Sequence, residues 1–259
     1  MATKERAEQQ DQRTTHRSTQ RVLDILSTLS EADDGLSMAD ICRALGAPKS
    51  SLFPILHTMA ASDFITCDEA TARYSLGLRS YILGSSYERK GGVLGVFKAA
   101  MREAVSACQE TSQLGVLDHG RVLYVAKVDS AQPVQLRSSI GKTLGLTYTA
   151  IGKALVSELP ENEVCALVGE PLERPTDHAL ATMDEFLAEL AEVRRTGFAY
   201  DREETTEGVQ CIAVPVRQHG HIAYGISVTT PSYRLTDEKA ELIRRELTFT
   251  RERVERLIS

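Results

Sequence analysis

The 259-residue chain contains no tryptophan, and aromatic residues make up only 5% of it. This scarcity favours a small polar ligand site over a cage of aromatic rings. No apolar run approaches the ~18 residues of a membrane-spanning helix. The first twenty residues are polar and lack the apolar segment of a signal peptide. We therefore expect no secretory signal and no membrane partner, and we interpret residues 1–17 as a disordered arm.

The chain has few cysteines, and none of them falls into a paired spacing. An odd number of cysteines in a chain without a secretory signal favours free thiols in a reducing compartment, which predicts a cytoplasmic protein. His219 and His221 have no third or fourth ligand nearby in the sequence, so we expect no metal. Phosphate-binding glycine loops and nucleophile elbows are missing, and we expect no cofactor. The five cysteines are Cys42, Cys67, Cys108, Cys165 and Cys211.

The chain also lacks the positive charge that is typical of a non-specific nucleic-acid binder. Its formal net charge is −6. Residues 1–84 hold nine Lys and Arg against eleven Asp and Glu, a net of −2. Three cationic side chains could still contact phosphates: Arg21, Lys49 and Arg73. The alternative for each of them is an ordinary solvated surface charge.

Local signals near the N-terminus predict a helix-turn-helix, the motif that places one helix in the DNA major groove. Ser37 can cap a short helix, with Asp40 in the capping-box position. Gly46 suits the end of that helix, and Pro48 suits the first turn of the next one. In this second helix one face is apolar, and the residues predicted to face base edges are Ser50, Ser51, Phe53 and His57.

A preceding amphipathic helix and a hairpin over residues 64–76 complete a predicted winged helix-turn-helix over residues 18–84. A bundle of three short amphipathic helices is the alternative interpretation. A linker helix and the entry to the next domain occupy residues 85–111, with the domain boundary near residue 85. Alternating strand and helix patterns over residues 112–259 predict an α+β domain around an antiparallel sheet. The fold class is therefore a mainly α N-terminal domain followed by an α+β domain.

Five stretches of the chain resemble the IclR family of bacterial transcriptional regulators over nearly its whole length. The first three lie in the N-terminal domain, and the other two lie in the C-terminal domain: residues 19–26, 47–51, 74–77, 140–142 with 148–155, and 197–204 with 208–216. The resemblance implies a winged helix-turn-helix joined by a linker helix to a GAF-like effector domain. It also implies a homodimer or dimer of dimers that binds a double-stranded palindromic operator, answers to a small metabolite, often an organic acid, and is not an enzyme.

The glycine-flanked segment of the C-terminal domain suits a small anion. Gly141 and Gly152 would let backbone N–H groups approach a ligand, although turns and caps are an equally good explanation for both glycines. Thr149, Ala150 and Ile151 lead into a helix whose N-terminus offers free N–H donors. A carboxylate would fit there.

Four polar residues match positions where the family places ligand contacts: Asp201, Cys211, Ser227 and Thr229. Cys211 could instead be an inert core residue. Asp201 could simply cap the following turn. Glu203 and Glu204 are expected to be solvated, because adjacent carboxylates point apart.

The sequence departs from the family pattern at Pro54, where the family commonly has Arg. A proline at this point removes one helical hydrogen bond and predicts a bent recognition helix. Two alternatives stay open: a sensor that has lost DNA binding through Pro54, and an enzyme with a cysteine or carboxylate centre. Asp63 replaces a turn glycine, but aspartate tolerates left-handed backbone better than most residues.

Overall fold

The computed structural model describes residues 16–89, 92–132 and 139–259. The chain divides into two compact units between residues 90 and 91, whereas the sequence placed a domain boundary near residue 85. The predicted arm over residues 1–17 lies outside the described residues, except that its last two positions start the first helix. His16 caps this helix by accepting the N–H of Thr19.

The N-terminal unit packs three helices against a small sheet. The helices share a core that includes Ile25, Ile41, Leu52 and Leu56. The sheet is antiparallel in the order β1-β3-β2. In chain order the elements are α1 (Arg17–Ser30), β1 (Leu36–Ser37), α2 (Met38–Ala44), α3 (Lys49–Ala61), β2 (Ile65–Asp68), β3 (Arg73–Leu76) and α4 (Leu78–Arg89).

Local chemistry fixes the turn between α2 and α3. Ser37 and Asp40 form the predicted capping box, in which each side chain accepts the other residue's N–H. Gly46 has a φ of 56° and ends α2. Pro48 is the N-cap of α3 rather than part of its first turn. Asp63, with a φ of 60°, takes the left-handed conformation that its position requires. The helix-turn-helix is therefore present at the predicted residues.

Pro54 lies inside α3, and the helix continues through it from Lys49 to Ala61. Pro54 has no N–H to donate, so the carbonyl of Ser50 lacks its partner four residues later. The Thr58 hydroxyl donates to the carbonyl of Pro54 at 2.9 Å. The expected bend stays a prediction, but Pro54 does not end the helix.

The C-terminal unit is built on a six-stranded antiparallel sheet in the order β6-β5-β4-β9-β8-β7. This confirms the predicted α+β class. The elements are α5 (Val93–Cys108), β4 (Thr111–Asp118), β5 (Arg121–Val128), β6 (Thr143–Gly145), α6 (Ala150–Val156), α7 (Glu161–Val168), α8 (Met183–Thr196), β7 (Ala199–Arg202), β8 (Val209–Gln218), β9 (His221–Pro231), a 3-10 turn (Ser232–Arg234) and α9 (Asp237–Ile258).

Helices cover both faces of this sheet. The long helices α5 and α9 form one core through Phe97, Ile243 and Leu247. The short helix α6 and helix α8 form a second core on the other face, with Ile151 and Phe186 fully buried. A Cβ atom on Gly225 of β9 would lie 2.9 Å from the side chain of Ile151, so this glycine lets α6 lie close against the sheet. The start of α6 is thereby held over the middle of the sheet.

Candidate nucleic-acid interface and candidate ligand cavity

Most of the residues of helix α3 that were predicted to contact DNA lie on its solvent-exposed side. Its buried residues are Leu52, Leu56 and Met59. Lys49, Ser50, Phe53 and His57 are exposed, and Ser51 is half-buried. Phe53 is 52% exposed. The structure therefore leaves four of the five predicted side chains of this helix exposed, and Ser51 is the half-buried one.

Two of the predicted phosphate contacts also hold the unit together. The guanidinium of Arg21 donates to the hydroxyl of Ser51, and so joins α1 to the first turn of α3. Arg73 on β3 donates to the carbonyl of Gly35 at 2.7 Å. Arg73 is exposed, and Arg21 is half-buried. Both guanidinium groups carry further N–H donors that a phosphate could use.

The C-terminal unit contains a cavity of about 370 Å³ between α6 and the sheet. Seven residues predicted for effector binding line it: Thr149, Ala150, Ile151, Asp201, Cys211, Ser227 and Thr229. Further lining residues that the sequence did not single out are Gln113, Tyr124, Ser139, Lys142, Leu144, Thr205, Thr206 and Val209. Alternate residues of β9, Ser227 and Thr229, therefore line the same cavity as the start of α6.

The two glycines predicted for effector contact are not among the lining residues. A Cβ atom on Gly152 would lie 2.4 Å from the carbonyl oxygen of Leu146, so this glycine serves close packing of α6 against the preceding loop. Gly141 is exposed, has a φ of 88° and donates its N–H to the carbonyl of Tyr124 at 2.8 Å. Both glycines have backbone roles, which is the alternative that the sequence left open.

A row of paired residues crosses the sheet beneath the cavity. Asp201 on β7 lies opposite Cys211 on β8, which lies opposite Thr229 on β9. The sulfur of Cys211 is 3.3 Å from the hydroxyl oxygen of Thr229. That hydroxyl donates to the side-chain carbonyl of Gln113 on β4 at 3.1 Å. Four strands therefore contribute to one polar floor.

Asp201 is buried, lines the cavity and also accepts hydrogen bonds from the backbone. Its Oδ1 accepts the N–H of Glu204 at 2.7 Å and the N–H of Thr205 at 3.2 Å, so it does cap the turn that follows β7. Burial raises the pKa of Asp201, and the hydrogen bonds from Thr205 and Glu204 oppose this rise. Burial, with the nearby Asp201, also raises the pKa of the Cys211 thiol well above its usual value, so Cys211 stays a neutral thiol.

Comparison with known proteins identifies both units. The family model described as bacterial transcriptional regulator IclR C-terminal matches residues 86–256, which is more than half of the chain. The IclR helix-turn-helix domain matches residues 18–69. The chain belongs to the IclR family. This IclR-family protein is a DNA-binding transcriptional regulator with a C-terminal effector-binding domain, and it is not an enzyme.

Individual relatives agree with this assignment over most of their length. The regulator is 30% identical to the HTH-type transcriptional regulator KdgR of Dickeya chrysanthemi, over 84% of this chain and 72% of the relative. An IclR regulator from Alicyclobacillus acidocaldarius has the same fold, with a TM-score of 0.88 at 22% identity, covering 95% of this chain and 100% of that one. An IclR homolog from Microbacterium hydrocarbonoxydans, solved with 4-hydroxybenzoate, has a TM-score of 0.77 at 20% identity. The match covers 92% of this chain and 98% of that one.

Sequence reasoning missed a buried ion pair beside the cavity of this IclR regulator. Lys153 on α6 is fully buried, and its Nζ donates to Oε1 of Glu204 at 2.6 Å and to the carbonyl of Tyr200 at 2.9 Å. The expectation that Glu204 is solvated was wrong, because Glu204 is only 3% exposed. Burial raises the pKa of Glu204, and the ammonium of Lys153 opposes the rise. A lysine in the middle of an otherwise apolar helix is the signal that could have suggested this pair.

Other expectations concern what the regulator does not contain. Among residues 16–89, 92–132 and 139–259, no helix is long and apolar enough to cross a membrane. Within the same described ranges, no group of three or more His, Cys, Asp and Glu side chains could hold a metal ion.

Proposed function

We propose that a small organic acid binds in the sheet cavity and thereby controls the affinity of this regulator for its operator. The single observation that carries the proposal is the cavity itself, in which a helix start faces a polar floor of buried side chains. The family assignment makes the C-terminal unit an effector-binding domain, so a cavity of about 370 Å³ there is the natural effector site.

The upper side of the cavity suits a carboxylate. The helical hydrogen-bond pattern leaves the N–H groups of Ala150 and Ile151 at the start of α6 without intrahelical acceptors. The third N–H, that of Gly152, is already bound by the hydroxyl of Thr149 at 3.1 Å. Lys142 supplies a positive charge at the cavity wall. An anionic group of the effector would meet these donors.

The floor suits hydroxyl or carbonyl groups at the other end of the molecule. Thr229, Ser227 and Gln113 offer both donors and acceptors. Asp201 offers a buried carboxyl that favours a hydroxyl donor over a second anion. The related regulator that was solved with 4-hydroxybenzoate carries a ligand with a carboxylate and a hydroxyl group. A short acid that bears a polar group is therefore the proposed effector class.

We propose residues 18–84 as the DNA-binding domain, residues 85–111 as the linker region and residues 112–259 as the effector domain. The side chains that we assign to operator contact are Arg21, Lys49, Ser50, Ser51, Phe53, His57 and Arg73. The protein would act in the cytoplasm, where a bacterial chromosome lies. Repression and activation depend on where the operator is placed, which the chain does not encode.

We also propose that the protein is a homodimer or a dimer of dimers. Exposed apolar residues lie on α4, where Leu78, Tyr81 and Ile82 follow the i, i+3, i+4 spacing of one helix face. Leu78 is 67% exposed and Tyr81 is 73% exposed. A second copy of the same helix would bury them, and a dimer would set two recognition helices about 34 Å apart on one side of the DNA.

A thermal-shift screen tests the effector assignment. Short carboxylic acids with and without hydroxyl groups, 4-hydroxybenzoate among them, are each compared with their primary amides, which have the same shape but no charge. We expect some acids to raise the unfolding temperature while their amides do not, and we expect Asp201→Ala to abolish the response. Equal stabilisation by acids and amides would contradict carboxylate recognition, and an undiminished response in Asp201→Ala would exclude this cavity.

A further inference from the structure

The outer side of α3 is poor in the groups that normally form hydrogen bonds with bases. Between residues 50 and 62 the sequence contains no Lys, Arg, Asp, Glu, Asn or Gln. Arg, Lys, Asn and Gln make the common specific contacts with guanine and adenine in the major groove. Beyond Lys49 at the first position of the helix, only the hydroxyl groups of serine and threonine and the ring of His57 remain for polar contacts.

Two apolar residues occupy the place of the missing polar ones. Phe53 and Pro54 are adjacent and both exposed in the middle of α3. Phe53 lies outside the core cluster that Leu52 and Leu56 form. Its ring lies beside that of His57, with 6.4 Å between ring centroids and a tilt of 35°. The outermost surface of this helix is therefore an apolar patch, defined as Phe53 and Pro54 and bordered by His57.

Only one apolar group is available to such a patch on the base edges of the major groove. This is the C5-methyl group of thymine, because the other functional groups that distinguish the base pairs there are hydrogen-bond donors or acceptors. We infer that Phe53 and Pro54 make this regulator read thymine methyl groups in each half of its operator. The inference rests on the assignment of α3 as the recognition helix, and it goes beyond that assignment by naming the base and the atom that is read.

The test uses deoxyuridine, which differs from thymidine only by the missing methyl group. The full-length protein first selects duplexes from a randomised pool at a fixed salt concentration, because phosphate contacts make affinity salt-dependent. Each thymine of the selected half-site is then replaced in turn by deoxyuridine, and the dissociation constant is measured by fluorescence anisotropy. We expect affinity to fall about fourfold at one or two positions per half-site, as the loss of a buried methyl group requires.

Substitutions of Phe53 and Pro54 test whether the loss of affinity for uracil duplexes arises from the apolar patch. Phe53→Ala should bind the thymine and uracil duplexes with equal affinity, whereas Phe53→Leu, which keeps an apolar side chain, should still distinguish them. If Phe53 had only a structural role, Phe53→Ala would weaken binding to both duplexes by the same factor, and the preference for thymine would remain. Pro54→Arg adds a bidentate donor, so its selected half-site should exchange a thymine for a guanine.

Two results would contradict thymine readout by Phe53 and Pro54, and a third would also contradict DNA recognition by α3. If every uracil duplex binds as well as its parent, or if Phe53→Ala still prefers thymine by the same factor, the thymine inference is overturned while DNA binding stands. If the wild-type protein selects no duplex at all, both the inference and the use of α3 in DNA recognition are overturned. Folding of each variant is checked by its circular dichroism spectrum.

Discussion

Asp201 both caps a backbone turn and lines the cavity that we propose as the effector site. One carboxylate oxygen caps the turn after β7 through the N–H groups of Glu204 and Thr205, and the residue also lines the cavity. The carboxyl group is withdrawn from water, which disfavours its charged form. At neutral pH the buried charge of Asp201 therefore costs stability, and a hydrogen bond donated by a hydroxyl group of a ligand would reduce that cost.

This penalty leads to a pH-dependent prediction. Burial raises the pKa of Asp201 above 3.8 in the folded chain, so the folded state binds this proton more tightly than the unfolded state does. The resulting stability is complete below the unfolded pKa and is lost as the pH rises through the higher folded pKa. Asp201→Asn has no such titration. The free energy of unfolding of the wild type, relative to Asp201→Asn, should fall as the pH rises above 3.8 in urea titrations.

The comparison of the two proteins at each pH cancels the titration of all other groups that they share. Circular dichroism of both proteins in the same buffers provides the measurement. A difference that stays constant, or that grows as the pH rises, would show that the hydrogen bonds to Asp201 outweigh its burial.

Helix α6 and the turn after β7 are joined by the ion pair between Lys153 and Glu204. Both partners are buried, and Oε2 of Glu204 has no hydrogen-bond partner in the described part of the chain. Breaking such a pair on one side leaves an uncompensated charge, which commonly costs about 3–5 kcal/mol. We expect Lys153→Met to lower the free energy of unfolding of the C-terminal unit by about this amount.

The double variant Lys153→Met with Glu204→Gln provides the matched control. It removes the orphaned carboxylate, so it should recover a large part of the stability that Lys153→Met loses. Urea denaturation followed by circular dichroism measures both variants. If the double variant is as unstable as the single one, lost packing of the lysine stem rather than unpaired charge explains the effect.

The elements that the sequence could predict are those whose signals are local. The capping box of Ser37 and Asp40 and the left-handed Gly46 after α2 act within one turn of the chain, and both structures are present as expected. β1, with two residues, and β6, with three, carry too little pattern to be seen. Their pairing depends on partners that are distant in the sequence.

The candidate site was predictable in part for the same reason. The helix start at Thr149 is a local signal, whereas Ser227 and Thr229 were named from the resemblance to the family, and all three residues line the cavity. The ion pair joins Lys153 to Glu204, 51 positions later, and no local pattern can place them together. The sequence also left two roles open for Gly152, and its close neighbour, the backbone of Leu146, is distant enough in local pattern that only the fold reveals the packing role.

At the scale of the whole molecule, the exposed apolar face of α4 predicts self-association. Substituting Tyr81→Glu and Ile82→Glu together would place two charges in the proposed contact between copies. We expect the wild type to sediment at twice or four times the 28.5 kDa of one chain and the double variant to sediment at 28.5 kDa or at half the wild-type mass. An unchanged mass in the double variant would place the contact elsewhere.

At the same scale, we propose that a ligand in the cavity changes the affinity of the N-terminal unit for DNA. Coupling between two such sites usually amounts to about 1–3 kcal/mol, or a 5- to 150-fold change in affinity. Two neighbouring threonines on β9 provide matched variants. Thr229 lines the cavity, whereas Thr230 does not, and its buried hydroxyl oxygen has no hydrogen-bond partner among the described residues. Thr229→Val and Thr230→Val therefore make the same chemical change on opposite faces of one strand.

The most direct measurement is the operator dissociation constant, by fluorescence anisotropy, with and without the acid that stabilises the protein most. We predict a change of at least about fivefold for the wild type and for Thr230→Val. Thr229→Val should bind the operator normally but should need a much higher concentration of the acid. A saturating acid that leaves the operator affinity of the wild type unchanged, or an identical response of the two valine variants, would contradict the account.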